Sequence, residues 1–297
     1  LGKILVTGFV ENGNDKDLFL IRVNADDGTL DTTFDGDGIV FLSDQGGDEI
    51  GRAITLSASG NILVGGEFID GEDSDALVAV FDATGAPDVG FGSGGVVTLG
   101  AGGDEVVQSL AINEGEDVIT LAGSRSIAPT ANAFSIGEEL NPTSDFLVIR
   151  IDATGALDNS FDGDGFVTLD FLGEADGGKD LILQGDKVVV AGFASEDRFI
   201  FAALARFNVD GSLDTTFGEN GKVITSVGAL VDVANALVEQ PNGRLVVAGQ
   251  AQREEVDPEE RDFALIRYDA DGQLDGQFGL NGRVVTQFPD VGSVAFA

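Results

Sequence analysis

Apolar residues along this chain come in short runs of four to six, cut off by Gly, Asp or Asn, and the runs keep a fixed order. A first set occupies residues 4–8, 18–23, 38–42 and 52–56, and a turn at 57–61 leads straight into the next set. That second set is 62–66, 76–81, 95–99 and 107–112. The third is 118–123, 146–151, 165–169 and 180–183; the fourth is 188–192, 203–207, 222–225 and 234–238. The fifth is 245–249, 264–268, 283–286 and 293–297. Runs this short, rich in Val, Ile, Leu and Phe and punctuated by turn residues, predict strands rather than helices.

The sets are copies of one unit. The stretch from Leu213 to Phe217, closed by Gly221, recurs at Leu30–Phe34, Pro87–Phe91, Leu157–Phe161 and Leu274–Phe278. The five Phe are 57, 70, 56 and 61 residues apart, which signals a repeat architecture. Solenoid coils are usually shorter, about 20 to 30 residues, and pair in parallel. Turns such as 240–244 are hairpin chemistry and therefore antiparallel. The expected fold is all-β: a β-propeller of five four-stranded antiparallel blades, with residues 1–297 as one domain. The chain starts on a first run and ends on a fourth run, so strands from both termini are expected to complete one blade and close the ring. A longer ring cut to five copies would give the same ends. The first residue, Leu1, lies inside a repeat, so a processed or partial chain is expected.

Composition narrows the chemistry. The 297 residues include no His, Cys, Met or Trp, which excludes histidine triads, thiol nucleophiles, His or Cys zinc sites and disulfides within the chain. Fifty-two acidic against sixteen basic residues give a formal charge of -36, a field that repels nucleic acid and anionic membranes and favours cations and solubility. No apolar run approaches the roughly 20 residues of a membrane span, and no signal-peptide pattern opens the chain.

Two sets of candidate residues stand out. Arg22, Arg150, Arg206 and Arg267 share one slot in four copies, each followed by a repeated Asp: Asp31, Asp158, Asp214 and Asp275. A planar guanidinium suits a structural clamp on a carboxylate or backbone carbonyls; an anion site would work against the net charge. The second copy has Val80 in this slot. Asp35, Asp37, Asp162, Asp164, Asp269, Asp271 and Asp275 place oxygens at the alternating spacings that hard cations such as calcium use, although no late bidentate Glu follows. Asp beside Gly is equally what tight turns need. The repeated Phe read as packing between repeats. The two longest connections, 124–145 with Arg125, Pro129, Phe134, Glu138, Glu139 and Pro142, and 250–262 with Glu254, Glu255, Asp257, Glu259, Glu260 and Arg261, read either as a binding face or as tolerated loops.

The motifs at 243–249, 263–272 and 213–218 resemble the delta-60 repeat family of bacterial β-propellers, a resemblance that covers nearly the whole chain. It implies a secreted or cell-surface bacterial protein, often part of a multidomain chain, and no shared enzymatic activity. The functional expectation is a non-catalytic extracellular module, structural or adhesive, that contacts protein or glycan through its loop face. No cofactor is expected beyond calcium. The alternative is a carbohydrate-active hydrolase that uses acidic residues at the propeller mouth.

Overall fold

The computed structural model describes residues 2–42, 46–71, 73–113, 115, 117–126, 144–252 and 261–287, and every regular element among them is a strand. The first sheet holds β1 (Lys3–Glu11), β2 (Lys16–Asn24) and β3 (Ile39–Leu42). The second holds β4 (Asp48–Leu56), β5 (Ile62–Asp70), β6 (Asp73–Phe81) and β7 (Val96–Leu99) in that order. The third is β8 (Asp104–Ile112), β9 (Val118–Ser126), β10 (Ser144–Asp152) and β11 (Phe166–Leu169). The fourth is β12 (Asp176–Gln184), β13 (Lys187–Glu196), β14 (Phe199–Phe207) and β15 (Lys222–Thr225). The fifth is β16 (Asp232–Glu239), β17 (Leu245–Gln252), β18 (Arg261–Tyr268) and β19 (Arg283–Thr286). Each is a sequential meander, the unit from which propellers are assembled. The expected fourth strand of the first sheet, 293–297, lies outside the described residues.

The fourth run of each of the first four copies therefore belongs to the sheet of the copy that follows. The hairpin after it is too short to let the chain do otherwise: β4 ends at Leu56 and β5 begins at Ile62. Each of β4, β8, β12 and β16 carries one bulge, after Gly51, Val107, Gly178 and Ala234. The residue facing that position is always glycine: Gly66, Gly123, Gly192 and Gly249. A Cβ there would sit 1.8–2.0 Å from the carbonyl oxygen of Ile50, Val106, Gly177 or Val233, so no side chain fits. The bulge and its glycine are one device, repeated.

Backbone contacts divide the chain into two compact units, Leu1–Ile127 with Val148–Asn159, and Ala128–Leu147 with Ser160–Ala297. In the first unit Leu18, Leu20, Phe34, Ile62, Val64 and Leu77 join the first and second sheets in one apolar core. In the second, Val189, Leu204, Phe217, Leu237, Val247 and Tyr268 do the same for the fourth and fifth. The repeated Phe34, Phe91, Phe161 and Phe217 are fully buried, while Phe278 is half-buried. Central strands such as β6 and β14 are buried on both faces, which is why their sequences read as unbroken apolar runs.

Candidate functional site

Charged side chains gather at two ends of each sheet. At one end lie the repeated Arg and Asp. The amide of Asp31 donates to the carbonyl of Arg22, and the same bond joins Asp158 to Arg150, Asp214 to Arg206 and Asp275 to Arg267. That tight return brings each guanidinium Nε to the carboxylate: 2.7 Å for Arg22–Asp31, Arg150–Asp158 and Arg206–Asp214, and 2.9 Å for Arg267–Asp275. The guanidinium lies over the repeated ring, 4.5 Å from the centroid of Phe34, Phe217 or Phe278. A second nitrogen reaches the turn of the next copy: Arg22 donates to the Ala83 carbonyl and Arg206 to that of Ala270. The other carboxylate oxygen caps the following turn, accepting from Thr33, Thr216 or Gln277. Lys3, Lys187 and Arg244 add a second cation to Asp31, Asp214 and Asp275. The Thr33 hydroxyl, Lys3 and Arg22 hold the Asp31 carboxyl well below the usual carboxylate range. Burial opposes the same effect at Asp214, yet Lys187, Thr216 and Arg206 prevail.

The seven Asp expected to suit a cation are distributed among turns. Asp35 and Asp162 adopt left-handed backbone at φ 49° and 50°, where other copies carry Gly92, Gly218 and Gly279. The amides at this position bridge copies: Asp35 to Thr84 and Asp162 to Asp210. Asp37 accepts from the Ile39 amide, Asp164 from Phe166, and Asp269 from Asp271 and Gln273. The Asp271 carbonyl accepts from Gly218, and Asp275 belongs to a clamp.

At the opposite end a second acidic position recurs that the motif reading passed over. Glu49, Glu105, Asp176 and Asp232 each stand two residues before the position facing the bulge glycine, and each is buried. A signal for it exists: an acidic residue falls 14 or 15 positions after Phe34, Phe91, Phe161 and Phe217. The two Asp fasten the loop that precedes their strand. Asp176 accepts from the Phe171 amide, and Asp232 accepts from Val227 and Gly228 at 2.7 and 2.8 Å. Burial raises Asp176 to about 7, against the amides of Phe171 and Ser195, and raises Asp232 to about 6, against those of Val227 and Gly228. Burial also raises the Glu105 carboxyl, against the Ala101 amide and the Arg125 guanidinium 3.1 Å away.

Among the described residues, one group of carboxylates stands close enough to share an ion: Asp145, Asp170 and Asp176, with oxygens within 4.8 Å of one another. Three such oxygens are at most half of the six to eight that calcium takes. Asp176 is the buried member, and Asp170 is exposed. Beside the equivalent end of the fifth sheet, Val227, Ala251, Gln252, Asp262 and Gln287 line an open depression of about 340 Å³. Of the two long connections, Arg125 and Arg261 are described; Pro129, Phe134, Glu138, Glu139, Pro142, Glu254, Glu255, Asp257, Glu259 and Glu260 lie outside the described residues.

Three stretches of the chain, residues 2–34, 184–217 and 240–278, match the model of a family described as a domain of unknown function (DUF5122) beta-propeller. The repeats are of the β-propeller kind. Each matched stretch ends on a repeated Phe and contains one Arg–Asp clamp. No curated protein matches the chain. Among solved structures, an acylaminoacyl peptidase in complex with a chloromethyl ketone is similar at 12% identity and a TM-score of 0.43, covering 92% of this chain and 37% of that one. An acylaminoacyl peptidase of Pyrococcus horikoshii gives 14% identity and 0.44, covering 89% and 36%. An exo-1,5-alpha-L-arabinanase from a bovine ruminal metagenomic library gives 9% and 0.34, covering 100% and 98%. The chain thus spans just over a third of the length of the two peptidases. Likeness at this level says nothing about activity.

Proposed function

We propose that this chain is a non-catalytic extracellular β-propeller module, a structural or adhesive part of a bacterial surface assembly. It has five blades, the first completed by residues 293–297, and it contacts protein or glycan through the ends that carry the long connections. The observation that supports this reading most is how the repeated charges are used. Four Arg–Asp clamps share one geometry, and the repeated Asp of the turns accept backbone amides, so these groups are committed to holding the repeats. An enzyme needs one copy set apart from the rest. The charge of -36 suits a solvated module in a saline medium.

The test is antibody labelling of intact producing cells, together with turnover of a panel of chromogenic glycosides. Labelling without lysis and no turnover are expected. Labelling seen only after lysis removes the surface role, and turnover abolished by Asp170→Asn removes the non-catalytic one. The hydrolase alternative has one observation in its favour: Asp145, Asp170 and Asp176 converge in a single copy, with carboxylate oxygens within 4.8 Å of one another.

A further inference from the structure

The second repeat lacks its arginine but keeps the carboxylate and the turn of the next copy that the arginine would meet. Val80 occupies the slot of Arg22, Arg150, Arg206 and Arg267, and its backbone is held in the same way. The Val80 amide donates to Gly95 and the Asp88 amide to the Val80 carbonyl, as Arg22 does with Gly38 and Asp31. Two further substitutions accompany the first. Asn61 replaces the second cation supplied elsewhere by Lys3, Lys187 and Arg244, and Gly90 replaces Thr33, Ser160, Thr216 and Gln277. Among the described residues no cation pairs with Asp88, whose Oδ1 is taken by the Gly90 amide at 2.9 Å.

A pocket of about 60 Å³ opens where the side chain is missing, lined by Asn61, Leu63, Val80, Asp88, Phe91 and Ala153. Such a volume takes a small planar group and not a sugar ring. Two of its walls correspond to contacts that Arg22 and Arg206 share, the carboxylate of Asp88 and the stretch of the next copy where Ala83 and Ala270 offer their carbonyls; Phe91, 1% exposed, lies beneath.

We propose that this pocket is a seat for a guanidinium group supplied from outside the chain, the side chain of an arginine. A carboxylate and a backbone carbonyl at these positions fit a planar fork of donors better than an ammonium. The net charge of -36 draws cationic ligands toward it. The inference concerns one repeat and stands apart from the reading of the loop ends, which lie at the other end of the sheets.

The experiment titrates N-acetyl-arginine amide into the full-length, 15N-labelled chain and follows the amides of Gly90, Phe91 and Ala153. Saturable shifts there are expected, several-fold weaker with N-acetyl-lysine amide and weakened roughly tenfold or more by Asp88→Asn, because a charged acceptor is lost. Val80→Arg fills the seat from within, so it should abolish the shifts while raising the melting temperature. A short neutral peptide with one arginine distinguishes the sources: tighter binding than the amide indicates a protein partner, and equal binding a small guanidinium compound. No shifts at these amides, or shifts that persist unchanged in both Asp88→Asn and Val80→Arg, overturn the proposal.

Discussion

Removing one clamp arginine tests whether the repeats depend on it. Arg206 is the best choice because it and Asp214 are both buried, at 6% and 4% exposure. Its side chain donates to Asp214 at 2.7 Å, to Ala270 at 2.6 Å and to Gln184 at 2.9 Å, and it covers Phe217. Taking one partner from a buried pair costs about 3–5 kcal/mol, chiefly because a charge stays behind unpaired. Lys187 still reaches Asp214 in Arg206→Ala, so the lower end of that range applies, about 3 kcal/mol. Urea unfolding measures it directly, with the exposed Arg198→Ala as control. A double-mutant cycle with Asp214→Asn should return a coupling of about 1 kcal/mol or more. If Arg206→Ala costs no more than Arg198→Ala, the clamps are ornamental contacts and the account of inter-repeat cohesion fails.

Three other outcomes follow from the same geometry. Asp176 and Asp232 have folded pKa values of about 7 and about 6 against an ordinary 3.8, so the folded chain holds protons that the unfolded chain releases. Their contribution is complete below about pH 4 and disappears as the pH rises through 6 and 7; Asp232→Asn should therefore narrow its stability gap to the parent chain by roughly 2–3 kcal/mol between pH 4 and pH 8, and a gap constant with pH would refute the assignment. Gly192→Ala should destabilise by several kcal/mol, since its Cβ would lie 2.0 Å from the Gly177 carbonyl oxygen, whereas Gly163→Ala, with open space around it, should lose only the cost of left-handed backbone, about 1–2 kcal/mol. Because the Asp oxygens of the turns already accept backbone amides, millimolar calcium should leave the melting temperature of Asp170→Asn, which breaks up the Asp145–Asp170–Asp176 group, where EGTA leaves it; a large upward shift with bound metal in that variant would make these turns cation ligands.

The repeat, the strands and the pairing of each Arg with its Asp were legible because they are local: a run of apolar residues, or two residues eight or nine apart that a single turn brings together. Strand lengths were not. β1 and β2 run on through polar residues such as Glu11 and Lys16, where the ladder continues in an exposed hairpin without any apolar signal. The bulges leave no trace except the glycine opposite, which among 43 glycines looks like any other. Glu49, Glu105, Asp176 and Asp232 were hidden for a related reason: an acid at a strand start reads as a turn residue, and only the folded sheet shows it going inward. Asp145, Asp170 and Asp176 meet across 31 residues of chain, a convergence no spacing rule anticipates.

The guanidinium of one copy grips the next through a main-chain carbonyl, at Ala83 and at Ala270, and the turn amides do likewise at Thr84, Thr154, Asp210 and Asp271. A carbonyl is the one acceptor that every amino acid provides. A newly duplicated unit could thus dock on its neighbour from the moment it arose, before any side chain had adapted to the junction. The same latitude lets individual copies differ, and the copy with Val80 in the arginine's slot is the kind of divergence such a joint permits.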